Sequence, residues 1–232
     1  MTQQPNGIHH LAFMAGDIKK HIEFFSQVMG CPLVAIFDMH GVPGALHAFL
    51  KLNDHSYFSI VQMPEIDAIP REIGHTHAGF GGGRSAAGTL QHLAFNVDTE
   101  EEMFALRDRI RSHGVPVMGP MDHGMCKSMY FAGPDNLALE VATSAVAIEP
   151  KLWVDAAVLE KVGISPEEAE RYKAPAAYAG ASPVAQPVYD ATKPHMTYPS
   201  QEGYLKMLTL PDEVHESRYF PPAPNATAEA AE

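Results

Sequence analysis

Apolar and polar positions alternate in two rhythms along residues 6–144. Where the period is two the chain reads as half-buried strand, and where apolar residues return every three or four positions it reads as helix. Residues 10–13 spell His-Leu-Ala-Phe, and the same four residues return at 92–95, 82 positions later. After the first copy, Asp17 stands as an N-cap before IKKHIEFFSQVM. There Ile18, Ile22, Phe25 and Met29 share one helical face, and Gly30 supplies a C-terminal stop. After the second copy, Thr99 and Glu102 form a capping-box pattern, Met103, Leu106 and Ile110 recur at helical spacing, and Gly114 closes the helix. Each helix leads into three extended segments: CPLVAIF, LHAFLKL and SYFSIVQ in copy one, VPVMG, KSMYFAG and LALEVAT in copy two. The last two segments of each copy are separated by hairpin residues, Asn53-Asp54 and Gly133-Pro134-Asp135-Asn136.

The pattern therefore predicts an α+β fold of two βαβββ modules, residues 6–64 and 88–144, forming one cup-shaped mixed sheet in a domain spanning 6–144. The linker at 65–87 is rich in Gly and His. Residues 145–232 form a Pro- and Ala-rich C-terminal extension with one predicted helix at SPEEAERYK and an end expected to be disordered. Trp153, Tyr189, Tyr198, Tyr204 and Tyr219 recur along it and are expected to anchor it to the core or to a second copy of the chain.

Alternation also assigns faces. His10 shares a strand face with Ala12 and Met14, and His92 shares one with Ala94 and Asn96, while Leu11, Phe13, Leu93 and Phe95 point toward the helices. In LALEVAT, Glu140 faces with Ala138 and Ala142. A buried carboxylate needs a partner, and a metal ion supplies one. Two histidines and a carboxylate on one inward face make a facial triad with open positions, as in non-haem Fe(II) oxygenases. His10, His92 and Glu140 are thus the candidate metal ligands. His9 alternates to the other side of its strand and reads as structural. His75 and His77 read as solvated loop residues, His113 as a cation at a helix C-terminus, and Cys126 as a small packed side chain.

Composition narrows the setting. The net charge of −12 excludes the clustered Lys and Arg that a nucleic-acid partner requires. No apolar run approaches the roughly 20 residues of a membrane span. Two cysteines and an N-terminus without a secretion signal imply a reducing, cytoplasmic setting.

The stretches HHLAF-x3-D, QHLAF-x2-D and KSMYFAGPDNLALEV give residues 6–144 a resemblance to the vicinal-oxygen-chelate superfamily of glyoxalase I, methylmalonyl-CoA epimerase, bleomycin and fosfomycin resistance proteins and type I extradiol dioxygenases. The resemblance implies two modules around one divalent metal, with ligands from the first strand of each module and the last strand of one or both. Glyoxalase-like members carry a carboxylate in both last strands. Here the position matching Glu140 is Ser59, 81 residues earlier, so the pattern is similar to the extradiol His-His-Glu set. Those enzymes also use a His and a Tyr ahead of the Glu, for which His123 and Tyr130 stand as catalytic candidates. Met14, Phe49 and Asn96 are candidate substrate contacts.

Three functions follow. The first is an Fe(II)-dependent extradiol-type ring-cleaving dioxygenase acting on a small catechol-like substrate. The second is a glyoxalase-like lyase or isomerase in which Zn(II), Ni(II) or Mn(II) is a Lewis acid, although Ser59 removes its usual base. The third is a non-catalytic small-molecule binder. A homo-oligomer, such as a dimer, is expected.

Overall fold

The computed structural model describes residues 4–180, 183–216 and 223–225 of the 232. Tyr219 and the terminal AEAAE lie outside the described residues. The first module contains β1 (His10–Met14), α1 (Ile18–Glu23), β2 (Leu33–Asp38), β3 (Leu46–Asn53) and β4 (Ser56–Gln62). The second contains β5 (Leu93–Asn96), α2 (Glu100–Ser112), β6 (Met118–Asp122), β7 (Lys127–Ala132) and β8 (Ala138–Thr143). Each forms its own four-stranded mixed sheet, in the orders β1-β4-β3-β2 and β5-β8-β7-β6. In both the first strand runs parallel to the last, and the other pairings are antiparallel. The two-module α+β fold expected from the repeat is what the chain adopts, with the cup's wall made of two hydrogen-bonded sheets of four strands.

The helix starts follow the caps read from the sequence. Asp17 accepts from the backbone N–H groups of Lys19 and Lys20, and Thr99 and Glu102 complete a capping box. The first helix differs from expectation. It is α-helical only to Glu23 and continues as a wider π-helical turn over Phe24–Val28, in which the Met29 N–H donates to the Phe24 carbonyl. The carbonyls freed at its end are taken up by the other module. Arg109 of α2 donates to the Gln27 carbonyl at 2.7 Å and to the Val28 carbonyl at 3.0 Å. Gly30 makes room for this, since at its φ of +82° an added Cβ would sit 3.1 Å from the Arg109 guanidinium carbon. The strand expected from VPVMG instead begins at Met118. Val115 spends its N–H on the Ile110 carbonyl at the end of α2, and Pro116 has none to give a ladder.

The phenylalanines of the two His-Leu-Ala-Phe copies meet in one core. Phe13 stacks on Phe25 at 6.1 Å, Phe25 packs on Phe58 at 4.3 Å, and Phe95 closes on Phe58 at 5.9 Å. Met103, Ile110, Met129, Leu139 and Val141 extend this core beneath the second sheet. A polar latch also joins the modules. Asp135, in the β7–β8 hairpin at a left-handed φ of 55°, accepts from the Gly16 N–H at 2.8 Å and pairs with Arg71 of the linker. Fully buried His21 brings Nε2 to 3.6 Å from the same carboxylate.

Beyond the modules, α3 (Pro150–Trp153), α4 (Ala156–Lys161) and α5 (Pro166–Lys173) follow, the last capped by Ser165 and Glu168 as its sequence predicts. The chain divides into two compact units, Gln4–Pro175 and a C-terminal unit that begins at Ala176. In the latter, α6 (Gln201–Leu208) and α7 (Asp212–Glu216) follow an irregular stretch, and buried Tyr204 stacks on Tyr198 at 5.1 Å and meets Tyr189 edge-on at 6.3 Å. Among the described residues no helix is long and apolar enough to cross a membrane.

Candidate functional site

The ladders place the candidate residues on the faces that alternation assigned. In the second sheet Glu140 lies between Ala94 and Tyr130, and the alanine leaves space above the carboxylate. Glu140 is only 6% exposed. His92, just before β5, brings Nε2 to 3.0 Å from Glu140 Oε2. The other ring nitrogen, Nδ1, meets the Gln91 side-chain oxygen. The orientation of that amide is settled by its nitrogen, which donates to the carbonyls of Gly81 at 2.8 Å and Gly83 at 2.9 Å. The Gln91 oxygen can therefore only accept, which orients it as an acceptor toward the His92 ring. Nε2 thus faces a buried carboxylate at hydrogen-bond distance. In donor chemistry the pair fits a divalent metal.

His10 is not gathered with this pair. Its Nδ1 lies 3.0 Å from His9 Nδ1, and its ring packs 5.6 Å from Phe49. Among the described residues no group of three His, Cys, Asp or Glu side chains is assembled to hold a metal. Ser59 occupies the place in the first module that Glu140 has in the second, laddered to Ala12 and Phe49, and its hydroxyl is buried without a hydrogen-bond partner.

The structure brings His123 and Tyr130 together, with Nε2 and the phenol oxygen 2.9 Å apart. Burial pushes the Tyr130 phenol above its ordinary pKa, and the adjacent Glu140 charge adds to this against an opposing hydrogen bond to Ser128. Tyr130 is thus a neutral hydroxyl at physiological pH. His123 is held in a tight turn, its N–H on the Cys126 carbonyl at 2.9 Å and the next N–H, that of Gly124, on Asp122 at 2.7 Å.

Met14 lies with His92 and His77 on a small cavity of about 270 Å³ where β1 approaches the lead-in to β5. Phe49 belongs to an aromatic wall on the first sheet, 4.5 Å from His47 and 6.1 Å from Phe37. Desolvation lowers the His47 pKa, and neighbouring His10 and His40 lower it further. Asn96 shares its face with Ala142, but its amide turns to Asp98 at 3.3 Å.

Two features escaped the sequence reading. One is Gln91, whose only signal was that the second copy reads Gln-His where the first reads His-His. The other is the glycine-rich segment 79–83, which the Gln91 amide pins beside the second sheet. It borders a cavity of about 750 Å³ over β6 and β7, with His123 and Tyr130 in its lining.

A family model described as the glyoxalase/bleomycin resistance protein/dioxygenase superfamily matches residues 7–141. Among solved structures, a glyoxylase/bleomycin resistance protein/dioxygenase domain from Frankia sp. EAN1pec is similar at 13% identity, covering 61% of this chain and 99% of that one, with a TM-score of 0.47. TnmS3, an antibiotic binding protein from Streptomyces sp. CB03234, is similar at 19% identity, covering 61% and 98%, with a TM-score of 0.43. A variant of the fosfomycin resistance protein FosX from Listeria monocytogenes, complexed with Mn(II) and dihydroxypropylphosphonic acid, is similar at 17% identity, covering 62% and 96%, with a TM-score of 0.42.

Proposed function

The chain belongs to the glyoxalase/bleomycin resistance protein/dioxygenase superfamily, and from that premise we propose that it is a metal-dependent dioxygenase of the extradiol type, acting on a small catechol-like compound. The observation that carries this reading is the inequality of two equivalent positions. Glu140 is a buried carboxyl group paired with His92 on one sheet, while Ser59 on the other offers a buried hydroxyl with no partner. A proton-shuttling isomerase needs a strong base on its substrate carbon, and the hydroxyl on the Ser59 side is too weak a base near neutral pH.

His92 and Glu140 would hold the divalent ion, with Gln91 fixing the His92 ring. His10 is proposed as the third ligand, by its equivalence to His92 in the repeat. Fe(II) best suits the two-histidine, one-carboxylate donor set, with Mn(II), Zn(II) or Ni(II) as alternatives. Bound there, the ion would supply redox exchange with dioxygen. The chain's own residues supply the proton chemistry. Tyr130, kept protonated by burial beside Glu140, donates a hydrogen bond to a substrate oxygen or to His123. His123, at the exposed end of this two-residue relay, takes up a phenolic proton and returns it to solvent.

The test is metal analysis of anaerobically purified protein followed by oxygen uptake with catechols. The expected result is Fe(II)-dependent oxygen consumption, lost by about a hundredfold or more in His123→Ala with iron retained. Turnover without oxygen, or supported equally by Ni(II) or Zn(II), moves the protein to the lyase and isomerase branch. Ligand binding without turnover moves it to the binding proteins.

A further inference from the structure

A cavity of about 750 Å³ lies over β6 and β7, and Tyr130, the ladder neighbour of Glu140, forms part of its wall. Its walls are Phe80 from the linker, Val115, Met118 and Met121, and its polar groups are His123 and Tyr130. Among the described residues that line it, none is Lys, Arg, Asp or Glu. The whole chain carries a net charge of −12. An anionic ligand would thus lose its water without gaining a counter-charge, which costs far more than burying an uncharged group of the same shape.

The polar and apolar parts of the cavity are also segregated. The only side-chain hydrogen-bonding groups in the lining are the 2.9 Å pair of His123 and Tyr130, so one hydroxyl can be recognised. The remainder is methionine, aromatic and aliphatic surface. The roof is the glycine-rich segment, and side chains there would crowd their neighbours. A Cβ at Gly81 would lie 3.0 Å from the Tyr130 ring, and one at Gly83 would lie 2.3 Å from the Ala78 carbonyl oxygen. The backbone there runs close to the tyrosine ring, and the Gln91 amide holds it in place. The volume falls within the usual range for drug-sized ligands, ample for two rings.

We propose that this cavity takes an uncharged phenol bearing an apolar substituent, with its hydroxyl on the His123–Tyr130 pair and its substituent under the segment 79–83, and that carboxylated or phosphonylated analogues are rejected. The proposal names the substrate class of the site proposed above and rests on that reading. It is tested by binding alone, so that a missing dioxygenase activity and a wrong ligand class are told apart.

The experiment is calorimetric titration of the full chain, without oxygen or turnover, using three probes: para-phenylphenol, methyl para-hydroxybenzoate and para-hydroxybenzoate. The ester should bind at least about tenfold more tightly than the carboxylate, and the two-ring phenol more tightly still. In Gly81→Leu both uncharged probes should weaken by about tenfold or more, because the side chain takes their space. Met118 is 59% exposed, so Met118→Lys should fold normally. It should narrow or reverse the preference, favouring the carboxylate. The proposal is overturned if para-hydroxybenzoate binds as well as its ester, if none of the probes binds, or if Met118→Lys leaves the order of affinities unchanged.

Discussion

Ser59 and Glu140 hold equivalent positions in the two halves of the chain, each laddered to the alanine of its own His-Leu-Ala-Phe strand. The carboxylate finds His92 at 3.0 Å, while the hydroxyl finds nothing. A buried hydroxyl without a partner lowers stability, and replacing it with a methyl group removes that cost. Ser59→Ala should therefore raise the unfolding free energy by about 1 kcal/mol in urea titrations. A loss of stability of that size would reveal a partner for Ser59 and undo the contrast between the two sheets.

Removal of either member of the metal pair should be plain in metal content. His92→Ala and Glu140→Gln should each abolish stoichiometric metal uptake while circular dichroism remains that of a folded protein. Gln91→Ala should retain the site but weaken the metal by about ten- to a hundredfold, since the His92 ring loses the acceptor beside its Nδ1. His10→Ala measures whether the first module contributes a ligand. Unchanged metal affinity there would restrict the centre to the second module.

The Asp135 latch predicts a pH dependence. Burial acts to raise the pKa of this carboxyl, but the Gly16 N–H, Arg71 and His21 together outweigh it and hold the pKa below the ordinary value of 3.8. A group depressed in the folded state contributes stability above its unfolded pKa and loses that contribution as the pH falls through the folded pKa. Asp135→Asn should thus cost about 2 kcal/mol near neutrality, and the two proteins should converge in stability at strongly acidic pH. Equal stability at pH 7 would remove the latch from the account of how the modules are joined.

Cys31 should be a slow thiol. Burial pushes its pKa up to about 11 despite the nearby Arg109 charge. At pH 8 it should react with a disulfide reagent many times more slowly in the native protein than in denaturant, because only the thiolate attacks. Rapid native labelling at this position, read by mass spectrometry, would contradict the packing at the end of α1.

Local rules carried much of this molecule into the sequence. Asp17 and the Thr99–Glu102 box depend on neighbours a few residues away, and each helix starts where those residues place it. The equivalence of Ser59 and Glu140 was legible for the same reason, since strand alternation and a fixed offset determine it. Three features were not. The π-helical turn in α1 is coupled to Arg109, about 80 residues further along the chain. The ring of His10 is settled by His9 and Phe49, not by its partner in the repeat. The seating of the glycine segment hangs on one glutamine side chain reaching backbone carbonyls, and carbonyl positions carry no sequence signal of their own.

The roof over the cavity is joined by peptide bonds to β4 on one side and β5 on the other. Its local concentration at the second sheet is therefore set by tether length, on the order of millimolar, and dilution of the protein does not change it. A single backbone cut between Gly79 and Gly82 would leave every strand of both sheets intact yet replace that tether by two loose ends. Proteolysis at one bond would thus take the roof off the cavity while both sheets stay whole.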